Sequence, residues 1–451
     1  MFGLNHNVGL TLLMTTIYSV ADSVWNGTVL VTYLYDVSGN SNAAVGYVEA
    51  LSGMAMLFSA FPVGYFADKV SRSLAISFGG VVNAVAMALT AISVTDALHV
   101  DERTNFYILA LGMIVYGIGG GVIQGPVQAL YADSIATGER TRWYTILFVC
   151  MTLSSVLGPL VSIAAFLVYG NTWKTSQLVY VILVGLAMEI PAVVCLFLFK
   201  NSEALGEEAA SHTEHVKQSA ENKEMDGKES DVWVKPHMVP YILFANELVS
   251  SLASGVTIKF FPLYFKENRH MSPIQVQVIF ALAPLSIALC SWGIEKVAKS
   301  RLGRIMSMVV ANIVGVVCLV LMIVLEQHFH NVVICALYIV RTGLMNCTYP
   351  IQESVLMDYV PVSQRGRWKS LQSICAVGWC GSAMVGGMLA DKHGYGFSFL
   401  FTAAFQLLAV VLYIPLLTVV GHERRLVEEV NEYDSRNADN EPLLSTRVID
   451  E

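Results

Sequence analysis

Twelve apolar stretches, each long enough to cross a bilayer as a helix, run through this 451-residue chain and constrain its fold more than any other feature. Lipid offers no partner to a backbone N–H or C=O, so each crossing must close its own hydrogen bonds, which takes a helix of about 20 residues. The stretches fall at about 8–36, 44–66, 73–95, 105–131, 144–169, 176–199, 237–265, 275–295, 304–326, 331–357, 369–390 and 397–420. Charged residues make up 14% of the chain, against about 25% in soluble domains. The expected fold is an all-α membrane protein of twelve transmembrane helices. The first 21 residues hold no lysine or arginine and lead to no small-residue cleavage site, so the first stretch is expected to stay as an anchor.

Two hydrophilic segments divide the chain into an N-terminal six-helix bundle over 1–199, a disordered linker over 200–236, a C-terminal bundle over 237–421 and an acidic tail over 422–451. Lys200 to Lys235 carries a net charge of −4 and His422 to Glu451 a net charge of −5, so the acidity of a chain with net charge −8 belongs to these appendages. No nucleic-acid partner is expected. The short loops set the orientation, because lysine and arginine are retained on the cytosolic side. With a cytosolic amino terminus the inner loops hold Lys69, Arg72, Arg140, Arg142, Lys296, Lys299, Arg301, Arg304, Arg365, Arg367 and Lys369, and the outer loops only Arg103, Lys174, Lys266, Arg269 and Lys392. Both termini are therefore expected in the cytosol. The eight cysteines all fall in apolar stretches without CxxC spacing and read as small buried hydrophobes.

The halves repeat. ADSIATGERTRW at 132–143 aligns with MDYVPVSQRGRW at 357–368, matching Asp133 with Asp358, Arg140 with Arg365, Arg142 with Arg367 and Trp143 with Trp368 at an offset of 225. Both segments close a fourth span and open a fifth. The same offset carries Asp22 onto Glu247, so each half is expected to place one acid at a similar depth in its first span.

With GYFADKVSR at 64–72 between the second and third spans, the chain resembles the major facilitator superfamily: Gly64, Asp68, Lys69, Ser71 and Arg72 take the positions of that family's loop signature. GIEKVAKSR at 293–301 is a degenerate second copy, with Val297 in place of the acid. The resemblance covers about 8–420. It implies two pseudo-symmetric six-helix bundles rocking about a site near the midplane, and a cytosolic gate of Gly64, Asp68, Arg72 and Asp133 with Asp358 and Arg367 in the second half, Arg72 bridging Asp133. GGMLADKHGYG at 386–396 looks like the signature but follows the eleventh span, so its Asp391 is expected to belong to a turn. Gly158-Pro159 matches half of the family's antiporter signature and leans the reading towards the drug/proton antiporter-like branch.

Charges inside a membrane span are costly and face a partner or a wet cavity. Asp22 and Glu247 are the leading candidates for proton coupling or for holding a cationic solute, with a packing bridge to Ser19, Asn26 or Asn246 as the plain reading. Arg341 in the tenth span pairs with Glu247, binds an anionic group or neutralises another acid; Tyr116 stands at the matching place in the fourth span, where the family's proton-coupled members usually carry arginine. Glu189, just before Pro191, reads as a packing or kink residue, whereas Glu49 and Lys259 are expected to snorkel towards the headgroups. The glycines of YGIGGG at 116–121 allow close helix approach, and Gly125-Pro126 can open a break whose carbonyls face the cavity. Trp25, Asn26, Gln124, Gln128, Asn246, Asn346, Tyr349 and Trp379 are candidate lining residues.

No nucleophile, base and orienter can be assembled, nor a metal-ligand cluster, so neither an enzyme nor a cofactor is expected. The leading reading is a monomeric secondary transporter of a small organic solute, coupled to protons. The alternatives are an uncoupled uniporter and a non-transporting receptor or sensor in a transporter fold. The tail segment DNEPLL at 439–444 sets Asp439 four residues before Leu443 and Leu444, as in acidic dileucine signals read by sorting adaptors. It suits a plasma-membrane or endolysosomal or vacuolar location.

Overall fold

The computed structural model describes residues 5–135, 140–205, 235–299, 302–360 and 365–420, so most of the expected linker and all of the tail, with Asp439, Leu443 and Leu444, lie outside it. Fifteen α-helices of seven residues or more, with short helical segments at 201–203, 236–238 and 416–420, make up the described chain. The first half holds α1 (His6–Trp25), α2 (Thr28–Val37), α3 (Asn42–Lys69), α4 (Arg72–Val94), α5 (Glu102–Asp133), α6 (Arg140–Tyr169) and α7 (Thr175–Leu196). The second holds α8 (Val239–Ile258), α9 (Phe261–Glu267), α10 (Pro273–Lys299), α11 (Arg304–Val324), α12 (Asn331–Asn346), α13 (Tyr349–Tyr359), α14 (Arg365–His393) and α15 (Tyr395–Tyr413).

These helices form twelve crossings, because three spans are each broken into two helices. Gly27 separates α1 from α2, while Pro262 and Pro350 stand in the first turns of α9 and α13, where a missing N–H is harmless but an upstream helix cannot continue unbroken. The break expected at Gly125-Pro126 does not occur, and α5 runs through Pro126 from Glu102 to Asp133. The glycines before it explain why: a Cβ on Gly117 or Gly121 would fall 2.1 Å from the carbonyl oxygen of Ser52 or Met56, so α5 is clamped against α3. Among the described residues eleven crossings have an apolar window sufficient to span a membrane, and α14, 29 residues long, carries an uncharged apolar run over 373–390 of the sequence.

Alternating crossings give the bundle two ends: a proximal end carrying Asn5, Asp133, Lys200 and Lys235, and a distal end carrying the connections near 38–41, 170–174, 268–272 and 394. The first linker residues, 200–205, lie against the proximal end. Asn7 donates to the Lys200 carbonyl at 2.8 Å, Asn201 donates to Ser71 Oγ at 2.8 Å, and Leu205 N donates to the Asp133 carbonyl at 2.9 Å, so residues 200–205 cap groups that the helix ends leave open.

The halves meet mainly through α3 against α14 and α6 against α10. A Cβ on Gly46 would lie 2.4 Å from the Ala383 carbonyl, and one on Gly53 would lie 2.1 Å from Cys380 Cβ, so glycine sets the approach of α3 to α14 over its distal part. Towards the proximal end α3 separates from its surroundings: Phe58, Phe61 and Tyr65 are 69%, 68% and 72% exposed.

Candidate functional site

In the first half, Asp22 sits three residues before the end of α1 and is half-buried. Its Oδ1 accepts from the Tyr116 hydroxyl at 2.7 Å and from Asn26 Nδ2 at 2.8 Å, and the Tyr18 hydroxyl lies 2.6 Å from that of Tyr116, so the donors run from Tyr18 through Tyr116 to the carboxylate. Oδ2 makes no hydrogen bond among the described residues. Behind this group, Glu189 is fully buried. Its two oxygens accept from Trp25 Nε1 and Asn83 Nδ2, both at 3.0 Å, which ties α7 to α1 and α4. That is a packing arrangement, and α7 continues unbroken through Pro191. Trp25, expected at the cavity, is instead wholly buried against Gly185, because its indole N–H is drawn inward to Glu189.

In the second half a cavity of about 290 Å³ opens between α8, α11, α12, α13 and α14. Glu247 and Arg341 line it together with Asn246, Asn346, Tyr349 and Trp379, all expected from sequence, and with Ser250, Ser251, Ser254, Asn312 and Gln352, which were not. The serines had a readable signal: Ser250, Ser251 and Ser254 lie three, four and seven residues after Glu247, on its face of one helix. Asn246 is committed elsewhere through its amide, which donates to the Ala409 carbonyl at 2.6 Å. Arg341 does not pair with Glu247. It is 4% exposed and stacks 5.3 Å from the Phe261 ring centroid.

Asp22 and Glu247 differ in depth. Glu247 lies eight residues into α8 and Asp22 sixteen into α1, which puts Glu247 about one to two turns nearer the proximal end. A single offset of 225 hides this, since the spacing between the halves changes along the chain. Gln124 and Gln128 are exposed on one side of α5.

Glu49 and Lys259 do not snorkel. Lys259 Nζ lies 2.9 Å from Glu49 Oε1, joining α3 of one half to the end of α8 in the other, and stacks over Trp379 at 5.8 Å. Further bonds join the halves at the distal end. Lys266 pairs with Asp36, Trp173 Nε1 donates to the Met271 carbonyl at 2.7 Å, and the Tyr395 hydroxyl donates to Asn42 Oδ1 at 2.9 Å. Asp391, expected in a turn, lies within α14 and accepts from Asn42 N and Ala43 N at 2.8 Å, Asn42 Nδ2 at 2.9 Å and Ser41 Oγ at 3.1 Å. It caps the amino terminus of α3 from the opposite half.

At the proximal end, Arg72 at the start of α4 pairs with Asp133 at the end of α5. Its counterpart is Arg304 at the start of α11 with Asp358 on α13. The partner of Asp358 is thus Arg304, previously counted only as loop charge. Each pair lies inside one half. Gly64 has open space where a side chain would be, and the side chains of Asp68 and Arg367 lie outside the described residues.

Comparison with known proteins agrees with this geometry. The chain is similar to a bacterial homologue of the iron transporter ferroportin in an inward-facing state, at a TM-score of 0.70 with 14% identity over 92% of this chain and 99% of that one. It is similar to a bacterial homologue of the human lysosomal transporter Spinster, inward-facing and occupied, at 0.67 with 14% identity over 91% and 96% of the two chains. A POT family transporter in complex with 5-aminolevulinic acid gives 0.67 with 12% identity over 93% and 97%. No curated protein sequence matches the chain. The family model of the Major Facilitator Superfamily matches residues 11–371 and 243–438, and with twelve crossings in two facing halves the chain is a multi-pass membrane protein of that superfamily.

Proposed function

We propose that the protein is a secondary transporter that carries a small organic solute by alternating access and couples the movement to protons through Asp22. The observation that carries the coupling is the placement of Asp22: a half-buried carboxylate within the first span, with one oxygen unbonded among the described residues. Adding a proton to Asp22 removes a negative charge from α1 and changes what the Tyr116 and Asn26 donors bond to, which shifts the balance between the two cavity states. Glu247 is the corresponding acid on the solute side, one wall of the 290 Å³ cavity.

With cytosolic termini the proximal end faces inward, and the distal bonds between the halves make this state inward-facing. The loop charges support that orientation. The proximal pair Arg72–Asp133, with Asp68, Gly64 and the pair Arg304–Asp358 beside Arg367, then forms the gate that must regroup when the cytosolic end closes.

The test is uptake into proteoliposomes under an imposed pH gradient, comparing the wild type with Asp22→Asn. The neutral variant should still equilibrate solute but lose accumulation driven by the gradient. If Asp22→Asn accumulates solute uphill as the wild type does, coupling through Asp22 is wrong. A wild type indifferent to the gradient leaves a uniporter.

A further inference from the structure

Arg341 is the one buried arginine that these helices leave without a partner among the described residues. It is 4% exposed, makes no hydrogen bond or ion pair there, and its Nε is enclosed with nothing to bond. Taking such an ion out of water costs several kcal/mol unless hydrogen bonds and an opposite charge replace the solvent. The Phe261 ring, 5.3 Å away, covers one face of the guanidinium but supplies no acceptor. The group borders the 290 Å³ cavity, whose wall also offers Ser250, Ser254, Asn312 and Asn346.

We infer that this cavity binds an oxyanion, the carboxylate of a small organic acid, with Arg341 as its counter-ion. A guanidinium presents a planar fork of donors that matches a carboxylate two to two, and it stays charged under all physiological conditions. The hydroxyls and amides around it suit a polar solute body, and the volume takes roughly ten water-sized units, at about 30 Å³ each. Glu247 in the same wall disfavours a second negative charge close by and favours a monoacid or a zwitterion. The inference rests on the transport reading for the solute's route, but the binding chemistry stands on the cavity alone.

The test is thermal unfolding of the purified full chain in lipid nanodiscs, titrated with lactate, benzoate, succinate and glutamate, with their primary amides, and with glycerol phosphate. At least one acid should raise the midpoint in a concentration-dependent manner, with its amide weaker by at least about tenfold, because an unpaired arginine rejects a ligand lacking the anion. Arg341→Lys should retain a weakened response and Arg341→Gln should lose it. Should Arg341→Gln fail to fold, the acid-to-amide comparison on the wild type decides alone. Equal responses to acid and amide, an unchanged response in Arg341→Gln, or no response to any of the acids overturns the inference. A response to glycerol phosphate alone replaces the carboxylate with a phosphate ester and overturns the assignment. Uptake in proteoliposomes separates the two readings. Acid binding without uptake rejects transport and leaves this site, whereas uptake of a neutral or cationic solute by wild type and Arg341→Gln alike rejects this site and leaves transport.

Discussion

Lys259 Nζ lies 2.9 Å from Glu49 Oε1 across the boundary between the halves, and both side chains are largely buried. Removing one partner of a buried pair strands the other charge, at a cost of about 3–5 kcal/mol. Lys259→Met should therefore weaken the distal closure more than the double variant Glu49→Gln with Lys259→Met, which strands nothing. Spin labels or cysteine accessibility at the distal connections would report the shift towards distal opening. Equal shifts in the single and double variants would show that the pair does not hold the halves.

Asp391→Ala removes the acceptor of Asn42 N, Ala43 N and two side-chain donors at once. Loss of a helix cap costs about 0.5–2 kcal/mol, and here it falls only on the state in which α14 reaches α3. The same accessibility measurement should show distal opening, with Asp391→Asn intermediate since an amide oxygen still accepts. A fall in thermal stability without a change in accessibility would make Asp391 a cap and nothing more.

Glu189→Leu should lower the unfolding temperature sharply, because Trp25 Nε1 and Asn83 Nδ2 each lose their acceptor, at about 1–3 kcal/mol per stranded group. Glu189→Gln should cost less. Asp22→Asn, at a half-buried position, should leave unfolding nearly unchanged while altering the response to a pH gradient. Thermal unfolding of the three variants distinguishes the packing carboxylate, bonded through both oxygens, from the half-buried one bonded through a single oxygen.

The proximal pairs should differ from the distal ones. Arg72 and Asp133 both lie within one half and are partly exposed, where an ion pair contributes only about 0–1 kcal/mol. Arg72→Gln should accordingly leave thermal stability within about 1 kcal/mol of the wild type, yet slow exchange between the two cavity states. Single-turnover solute release from proteoliposomes would record it, and an unaltered rate would remove Arg72 from the gate.

The crossings were legible in the sequence because the lipid requirement acts on each stretch separately; a run of apolar residues carries its own evidence. What one half sets against the other was not. Glu49 and Lys259 lie 210 positions apart, and each by itself sits close enough to a span end to reach water. Asp391 resembles a loop acid until α3 is brought to it. The repeat was also read too rigidly. Asp133 and Asp358 correspond at an offset of 225, but their arginine partners, Arg72 and Arg304, correspond at 232, and the degenerate loop copy at 293–301 set Arg301, not Arg304, opposite Arg72. The same slippage made Asp22 and Glu247 look level.

The glycine seam between α3 and α14 bears on what the chain tolerates. A Cβ on Gly46 or Gly53 would fall within 2.4 Å of atoms of α14, so even alanine there would push the two helices apart. Change at these two positions is thereby confined to a residue without a side chain, however freely the lipid-facing surface drifts.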